Sequence, residues 1–267
     1  MKILSRIYSA LIFLFLYAPI VVLIVFSFND SRSRVKWEGF STRWYEKLVD
    51  NQVILDALKV TLLVAVLAAI AATLIGTMAA VGIHSMNRRL KKAFLTVNNI
   101  PMVNPEIVTG VSMMLLFVFV FRLIGGLSLG FGTLLIAHIT FCIPYVVLQV
   151  MPKLRQMNQH MVDAALDLGC TPLRAFFKVV LPEIMPGVFT GMLMAFTISL
   201  DDFVISYCMS GSTAQTLSVT IYSMVKRRVT PEINAVSTLL FLSVLILLIL
   251  VNVFQIRSEK KAAKIKY

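Results

Sequence analysis

The sequence predicts an all-α integral membrane protein with six transmembrane helices, and three observations support this. Of the 267 residues, 58% are hydrophobic and only 14% are charged. The mean hydropathy is +0.87, whereas a soluble domain is about half apolar and about a quarter charged. Several long windows also carry no charge. These features exclude a disordered chain, a secreted disulfide scaffold and an ordinary cytosolic enzyme, because the charged residues are too few to cover a surface facing water.

Charge-free windows define most of the spans, since a helix needs about 20 apolar residues to cross the hydrocarbon core. Four such windows are long enough for one crossing each: 7–29, 60–87, 123–152 and 233–256. Two further apolar regions are interrupted by acids, Glu106 in one and Asp201 with Asp202 in the other. The six predicted spans are 7–28, 58–82, 103–121, 131–150, 186–208 and 234–255.

The distribution of lysine and arginine places both termini on the inner side of the membrane. The first apolar run follows two basic residues, as in a signal peptide, but it is too long for one and lacks a small-residue cleavage site, so we expect a retained helix. The chain is then one transmembrane domain over 1–267, with an external loop at 29–57 and a cytoplasmic tail at 256–267. The basic run Lys226–Arg228 lies outside and runs against the rule.

The positions of the basic residues decide what the net charge of +12 indicates about partners. In a soluble protein it would indicate nucleic acid. Here the basic tail suits anionic lipid on the inner membrane face, and no nucleic-acid partner is predicted. The external loop carries Trp37, Trp44 and Tyr45, which either form an aromatic belt at the headgroups or cap a cavity.

The inner loop at 158–185 predicts a helix, a turn and a second helix. Ala164 and Ala165 give a helix face with little side-chain bulk, so another surface can approach closely. Gly169 can adopt the left-handed conformation that ends a helix, and Pro172 suits the first turn of the next one. We expect the second helix to end before the fifth span at two prolines, Pro182 and Pro186.

This spacing resembles the E-A-A-x-x-x-G-x9-I-x-L-P loop of the permease subunits of bacterial ABC importers. It matches throughout, although Asp163 stands in place of Glu and Val179 in place of Ile. The resemblance implies the type I importer permease fold, also called MetI-like, with this loop as the coupling helix that docks into the ATPase. The coupling residues that it implies are Asp163, Ala164, Ala165, Gly169, Leu181 and Pro182.

The resemblance also implies the partners and the mechanism. It implies a second homologous permease subunit, a dimer of ATPase subunits and an extracytoplasmic binding protein, working by alternating access. ATP and Mg are then bound by the partner ATPase. This chain itself is expected to bind no cofactor or metal and not to be an enzyme, and its location is the bacterial cell membrane.

Four shorter stretches narrow the resemblance to polyamine importers. They lie at 138–144, 199–206, 210–211 and 231–235. Together they look like the spermidine/putrescine importer permeases of the PotC type.

Embedded acids are the candidate substrate residues, because a carboxylate at the bilayer centre costs about 2.5–3.5 kcal/mol on insertion scales. Adjacent helical residues point about 100° apart, so we expect one of Asp201 and Asp202 to line the pathway and the other to pair with a neighbour. The pair acts either at the substrate and gate or in a salt bridge to a partner subunit. Glu106 follows Pro101 and Pro105 and lies either on the pathway or in the inner interface.

A polyamine is a flexible chain of protonated amines, which spaced carboxylates and aromatic faces bind well. Candidate aromatic residues are Trp44, Tyr45, Tyr207 and Tyr222. The same acids would repel phosphate, sulfate or a dicarboxylate.

Missing motifs limit the alternatives. No G-x-x-x-x-G-K-[ST] loop occurs, so ATP hydrolysis is not expected on this chain. His84, His138 and His160 lack metal-ligand spacing, and we expect His138 to be packed or hydrogen-bonded. Three rivals remain: a permease of the same fold for ferric iron, an amino-phosphonate or another small solute; a membrane-embedded metal-dependent enzyme; and a secondary transporter that needs no ATP.

Overall fold

The computed structural model describes residues 2–31, 36–125, 128–158, 160–211, 213–227 and 232–246, together with 249 and 253. The predicted tail at 256–267 and most of the second half of the predicted sixth span lie outside the described residues. The helices of the described part are α1 (Lys2–Ser27), α2 (Arg43–Asp50), α3 (Gln52–Ser85), α4 (Arg88–Val103), α5 (Glu106–Ile124), α6 (Phe131–Gln156), α7 (His160–Asp167), α8 (Pro172–Ala175), α9 (Leu181–Asp201), α10 (Val204–Met209), α11 (Leu217–Arg227) and α12 (Glu232–Ile246).

Five helical stretches of the described chain are long and apolar enough to cross a membrane. They coincide with the first five predicted spans, although the boundaries differ. The fifth stretch runs from Pro172 to Asp201 instead of from 186 to 208. The predicted sixth span begins as α12, which has the apolar character of a span over its described residues.

The chain divides into two compact units. One comprises Met1–Leu58 and Val219–Ile249, and the other comprises Lys59–Ser218 and Leu250–Tyr267. In the first unit, the apolar window of α1 has no residue buried inside the protein. This is expected of a helix whose surroundings are lipid, because its own backbone bonds satisfy every polar group that the bilayer cannot.

The segment after α1 is ordered around one buried side chain, Asn29. Its carboxamide donates to the Lys36 carbonyl at 2.8 Å and accepts from the backbone N–H groups of Ser31 and Glu38. Phe28 stacks on Phe40 with ring centroids 5.2 Å apart. The described residues of the predicted external loop at 29–57 include this hydrogen-bonded cap, α2 and the first turns of α3, and buried backbone groups require such partners.

The second unit is built around α6. Ile184, Gly187, Gly191 and Ala195 of α9 are buried, and a Cβ added to Gly191 would lie 3.2 Å from Val146 Cγ1. Without a hydrophobic driving force in lipid, close backbone approach over small residues is what holds membrane helices together.

Two further helix pairs approach closely in this unit. A Cβ added to Gly76 of α3 would lie 2.8 Å from Val146 Cβ of α6, so glycine is required for this approach. A Cβ added to Gly110 of α5 would lie 3.3 Å from Cys208 Sγ of α10. The short helix α10 therefore packs directly on α5.

Candidate functional site

The inner loop folds as the predicted helix, turn and helix. After α7, Gly169 has φ 82°, a conformation that glycine adopts without steric cost. The Gly169 N–H donates to the Leu166 carbonyl at 2.9 Å, and the Cys170 N–H donates to the Ala165 carbonyl at 3.0 Å. These bonds form a Schellman-type end that satisfies carbonyls the helix leaves unpaired. Pro172 then opens α8, and we call residues 160–175 the coupling hairpin.

The coupling hairpin and the π turn that follows it present apolar side chains on their surface. The exposed ones are Met161, Leu166, Leu168, Leu173 and Phe177. Asp163 and Ala164 are also exposed, while Ala165 is half-buried. Leu168 is 87% exposed and Leu173 is 72% exposed. These values indicate a surface with no partner inside the described chain.

The hairpin continues into the fifth span without the predicted stop. A π turn at Phe176–Val180 joins α8 to α9, and the Leu181 N–H donates to the Phe176 carbonyl five residues back. The prediction that Pro182 and Pro186 end this helix is wrong. A π turn is wider than an α turn and precedes Pro182 here. Pro182 also stands in the first turn of α9, where a missing N–H is tolerated.

Helix α9 ends at Asp201, and two non-helical residues separate it from α10. Asp202 takes an extended conformation with ψ 126°, so the predicted continuous helix to 208 is wrong. The side chain of Asp202 accepts from the Ser206 N–H at 2.8 Å and from the Ile205 N–H at 3.4 Å. Asp202 thereby caps α10, because those N–H groups have no partner inside a helix that begins at Val204.

The two neighbouring acids have different surroundings. Asp202 is 9% exposed and its carboxylate lies 3.6 Å from His138 Nε2 of α6, whereas Asp201 is exposed. His138 is 2% exposed. Its Nδ1 lies 2.7 Å from Ser199 Oγ and its Nε2 lies 3.1 Å from Ser206 Oγ. This arrangement holds Asp202 inside the protein and leaves Asp201 on the surface.

Glu106 is the first residue of α5 and is exposed. A carboxylate is favoured there because the first turn of a helix presents unpaired N–H groups and a partial positive charge. Glu106 lies within electrostatic range of the Tyr145 phenol of α6. One turn later, Gly110 packs on α10, so α5 connects Glu106 with the segment that follows Asp202.

The predicted aromatic residues Trp44, Tyr45 and Tyr222 belong to the other compact unit. Trp44 is 2% exposed, and its indole N–H donates to the Asn29 carbonyl at 2.7 Å. Lys47 Nζ lies 5.0 Å from the Trp44 ring centroid. The Tyr45 hydroxyl is 2.6 Å from Ser27 Oγ, and Tyr222 is 44% exposed.

The profile of the family described as "Binding-protein-dependent transport system inner membrane component" matches residues 72–264. This chain is a member of that family. As a binding-protein-dependent transport component it is a multi-pass protein of the bacterial cell membrane and a transport subunit instead of an enzyme.

Named relatives cover almost the whole chain. The "Putrescine transport system permease protein PotI" of Escherichia coli (strain K12) is 41% identical over 93% of this chain and 89% of its own length. The "Spermidine/putrescine transport system permease protein PotC" of the same strain is 40% identical over 89% of this chain and 88% of its own length. The predicted resemblance to ABC importer permeases of the PotC type is confirmed.

Solved structures confirm the predicted fold. A bacterial ABC transporter that imports the acidic polysaccharide alginate contains a chain with a TM-score of 0.78 and 15% identity, covering 96% of this chain and 95% of that chain. The MetNI methionine ABC transporter gives a TM-score of 0.63 and 19% identity, covering 81% of this chain and 98% of that one. At these identities the likeness supports the permease fold, and it does not indicate which substrate this chain transports.

Sequence reasoning missed the side chains that surround Asp202 and His138 in the candidate site. Ser199 and Ser206 are the two ends of the stretch 199–206 around the acids, but nothing in the sequence pairs them with His138. The separations are 61 and 68 residues. The available signal was the spacing of the two serines on either side of the Asp201–Asp202 pair, combined with a lone histidine within the fourth span.

Proposed function

We propose that this chain is one of two related permease subunits of an ATP-driven importer of polyamines. The observation that carries the proposal is the similarity to proteins named for putrescine and spermidine transport, at 39–41% identity over about nine-tenths of the chain. The partner permease would supply the other half of the translocation pathway. Alternating access would expose that pathway to each side in turn.

Asp201 is the proposed substrate acid. It is exposed at the end of a long helix, whereas the adjacent Asp202 is occupied by α10 and His138. Glu106 supplies a second exposed carboxylate on α5. Protonated amines bind carboxylates through charge-assisted hydrogen bonds, so two separated acids suit an extended polycation better than a compact cation.

Trp44, Tyr45 and Tyr222 remain proposed aromatic contacts, with unequal support. Tyr222 is 44% exposed, and an aromatic face can attract an ammonium group. Trp44 is buried and Lys47 already lies over its ring. The structure therefore supports Tyr222 more than Trp44 as a residue that touches a polyamine.

The coupling hairpin is the proposed ATPase contact, with ATP and Mg held by that partner. Asp163 and Ala164 lie on its surface among exposed apolar side chains. The second helix of the hairpin continues into the fifth span. The helical stretch from Pro172 to Asp201 has 30 residues and is about 45 Å long at 1.5 Å per residue. Leu181 and Pro182 lie within this helix. A displacement of the hairpin would therefore be transmitted to Asp201 along one continuous helical stretch.

The cap around Asn29 and α2 is the proposed docking area of the external binding protein. The Asn29 carboxamide fixes the backbone at Lys36 and Glu38 there, and the Trp44 indole donates to the Asn29 carbonyl. One related structure contains a substrate-loaded periplasmic protein in complex with the alginate transporter, which supports a partner of this kind.

The substrate is tested by reconstituting the complete importer in liposomes and measuring ATP-driven uptake of radiolabelled spermidine and putrescine. Asp201→Asn should abolish uptake, Asp201→Glu should retain part of it, and Thr197→Val, one turn earlier on α9, should behave as wild type. Uptake that is unchanged in Asp201→Asn would show that this acid is not the site. Uptake of ferric iron or an amino-phosphonate in place of polyamine would overturn the substrate assignment.

The partners are tested by affinity purification in mild detergent. Co-isolation of an ATPase and a second permease is expected. Ion-gradient transport by the purified chain alone would favour a secondary transporter, and metal-dependent turnover by that chain would favour an enzyme.

A further inference from the structure

We propose that His138 is a positioning residue that locks the break between α9 and α10, so that movement of α9 is not lost at the break. This inference rests on the proposed transport function and concerns how motion passes through the subunit. The starting observation is that the imidazole bonds to both sides of the break. Its Nδ1 is 2.7 Å from Ser199 at the end of α9, and its Nε2 is 3.1 Å from Ser206 of α10.

We call the contacts of His138 with Ser199 and Ser206 the clamp. Without the clamp, the break between α9 and α10 would act as a hinge. Between Asp201 and Val204 the helical hydrogen bonds stop, and Asp202 is extended. Residues at helix ends that lack regular backbone bonds are where large dihedral changes are absorbed. A hinge at this point would let α9 move while α10 stayed still on α5.

The proton positions of the cluster form one consistent chain. With Asp202 ionised, its carboxylate only accepts hydrogen bonds, so the Ser206 hydroxyl, which is hydrogen-bonded to it, acts as the donor. Ser206 Oγ is then the acceptor toward His138, which requires the hydrogen on Nε2. His138 Nδ1 in turn accepts from the Ser199 hydroxyl. Neutral histidine fulfils this role because it donates at one nitrogen and accepts at the other.

Burial makes the clamp stiff. Ser199, Asp202, Ser206 and His138 are all at most 9% exposed, so water does not compete for their hydrogen bonds. Buried polar groups that lose a partner are costly in such surroundings. A second tie at the far end of α10, from the Thr133 hydroxyl of α6 to the Met209 carbonyl at 3.1 Å, holds α10 independently of His138, so the Ser199 bond is the one that joins the end of α9 to this buried cluster.

Side-chain variants separate the two halves of the clamp. Asparagine at position 138 places an amide near the position of Nδ1, so His138→Asn should keep the α9 link and lose the α10 link. Glutamine reaches the position of Nε2, so His138→Gln should do the reverse. Ser199→Ala removes one hydroxyl with almost no change of volume. Thr197→Val is the matched control, because the Thr197 hydroxyl bonds only within α9, to the Leu193 carbonyl at 2.9 Å.

The test measures transport and ATP hydrolysis together in the reconstituted importer. Ser199→Ala and His138→Gln should lower the amount of polyamine moved per ATP about fivefold, the factor expected for the loss of one net hydrogen bond. ATP hydrolysis and subunit assembly should stay within about twofold of wild type. An unchanged transport-to-ATP ratio in both variants would overturn the proposal, as would a parallel loss of both rates.

Hydrogen–deuterium exchange provides a readout that needs no substrate. Amides of 198–204, at the end of α9 and in the break, should exchange about fivefold faster in Ser199→Ala than in Thr197→Val, with 139–150 of α6 unchanged. Equal exchange in the two variants would overturn the clamp. If the wild-type complex moves no polyamine, the proposed substrate fails while the exchange experiment still decides the role of His138.

Discussion

Replacing Gly169 by alanine isolates the backbone conformation of the coupling hairpin. Gly169 has φ 82°, and a Cβ built on it meets no atom within 4 Å. The substitution therefore adds no steric clash with neighbouring groups. Its cost comes from the left-handed conformation alone, which is about 1–2 kcal/mol for a residue with a Cβ.

That cost translates into a measurable change in the opening of the turn. A difference of about 1–2 kcal/mol is a factor of about 5–30 in an equilibrium between closed and open forms. The two bonds that close the turn, from Gly169 to Leu166 and from Cys170 to Ala165, should therefore open that much more often. Asparagine tolerates this conformation better, so Gly169→Asn should show a smaller effect.

Hydrogen–deuterium exchange over 164–172 measures this opening, and retention of the ATPase during purification reports its consequence. Gly82→Ala is the control, because its Cβ also meets no atom within 4 Å but its backbone is helical. The Gly82→Ala variant should be more stable than wild type by about 0.5–1 kcal/mol. Equal exchange over 164–172 in Gly169→Ala and Gly82→Ala would refute the reasoning.

Three further predictions follow from packing and exposure. Gly76→Val should destabilise the protein by about 1–3 kcal/mol in detergent melting, because the new Cβ would lie 2.8 Å from Val146 Cβ; an unchanged melting temperature would contradict this packing. Trp44→Phe leaves the Asn29 carbonyl without its indole donor, which should destabilise the cap around Asn29 by about 1–3 kcal/mol. Limited proteolysis should therefore cut this cap faster than in the wild type. Leu173→Glu should weaken ATPase retention without altering the melting temperature, since this side chain is 72% exposed, and full retention would remove it from the docking surface.

The membrane fold and the coupling hairpin could be predicted because their causes are local. Long charge-free windows report the thickness of the bilayer directly, and they gave the first, second and fourth spans, while the third and fifth came from apolar regions interrupted by acids. Gly169 and Pro172 report backbone conformations that few other residues adopt as easily. Both residues are found where those rules place them, one with a positive φ and the other opening α8.

The continuity of the fifth span could not be predicted from the same rules. Pro182 and Pro186 normally argue for a helix end, and both lie in one helical stretch that runs from Pro172 to Asp201. The π turn before Pro182 resolves the conflict, because its wider ring changes which carbonyl each N–H must reach. No sequence signal in Phe176–Val180 specifies such a turn.

The division of labour between the two adjacent acids was predictable only in part. Helical geometry alone requires Asp201 and Asp202 to point in different directions. Which of them is buried depends on the start of α10, because the N–H groups of Ile205 and Ser206 supply the hydrogen bonds that an enclosed carboxylate needs. The same break that buries Asp202 also makes Asp201 the last residue of the helical stretch that begins at the coupling hairpin. The exposed acid and the second helix of the coupling hairpin therefore belong to one helical stretch, and under the proposed function a displacement of the hairpin would be transmitted to Asp201 along it.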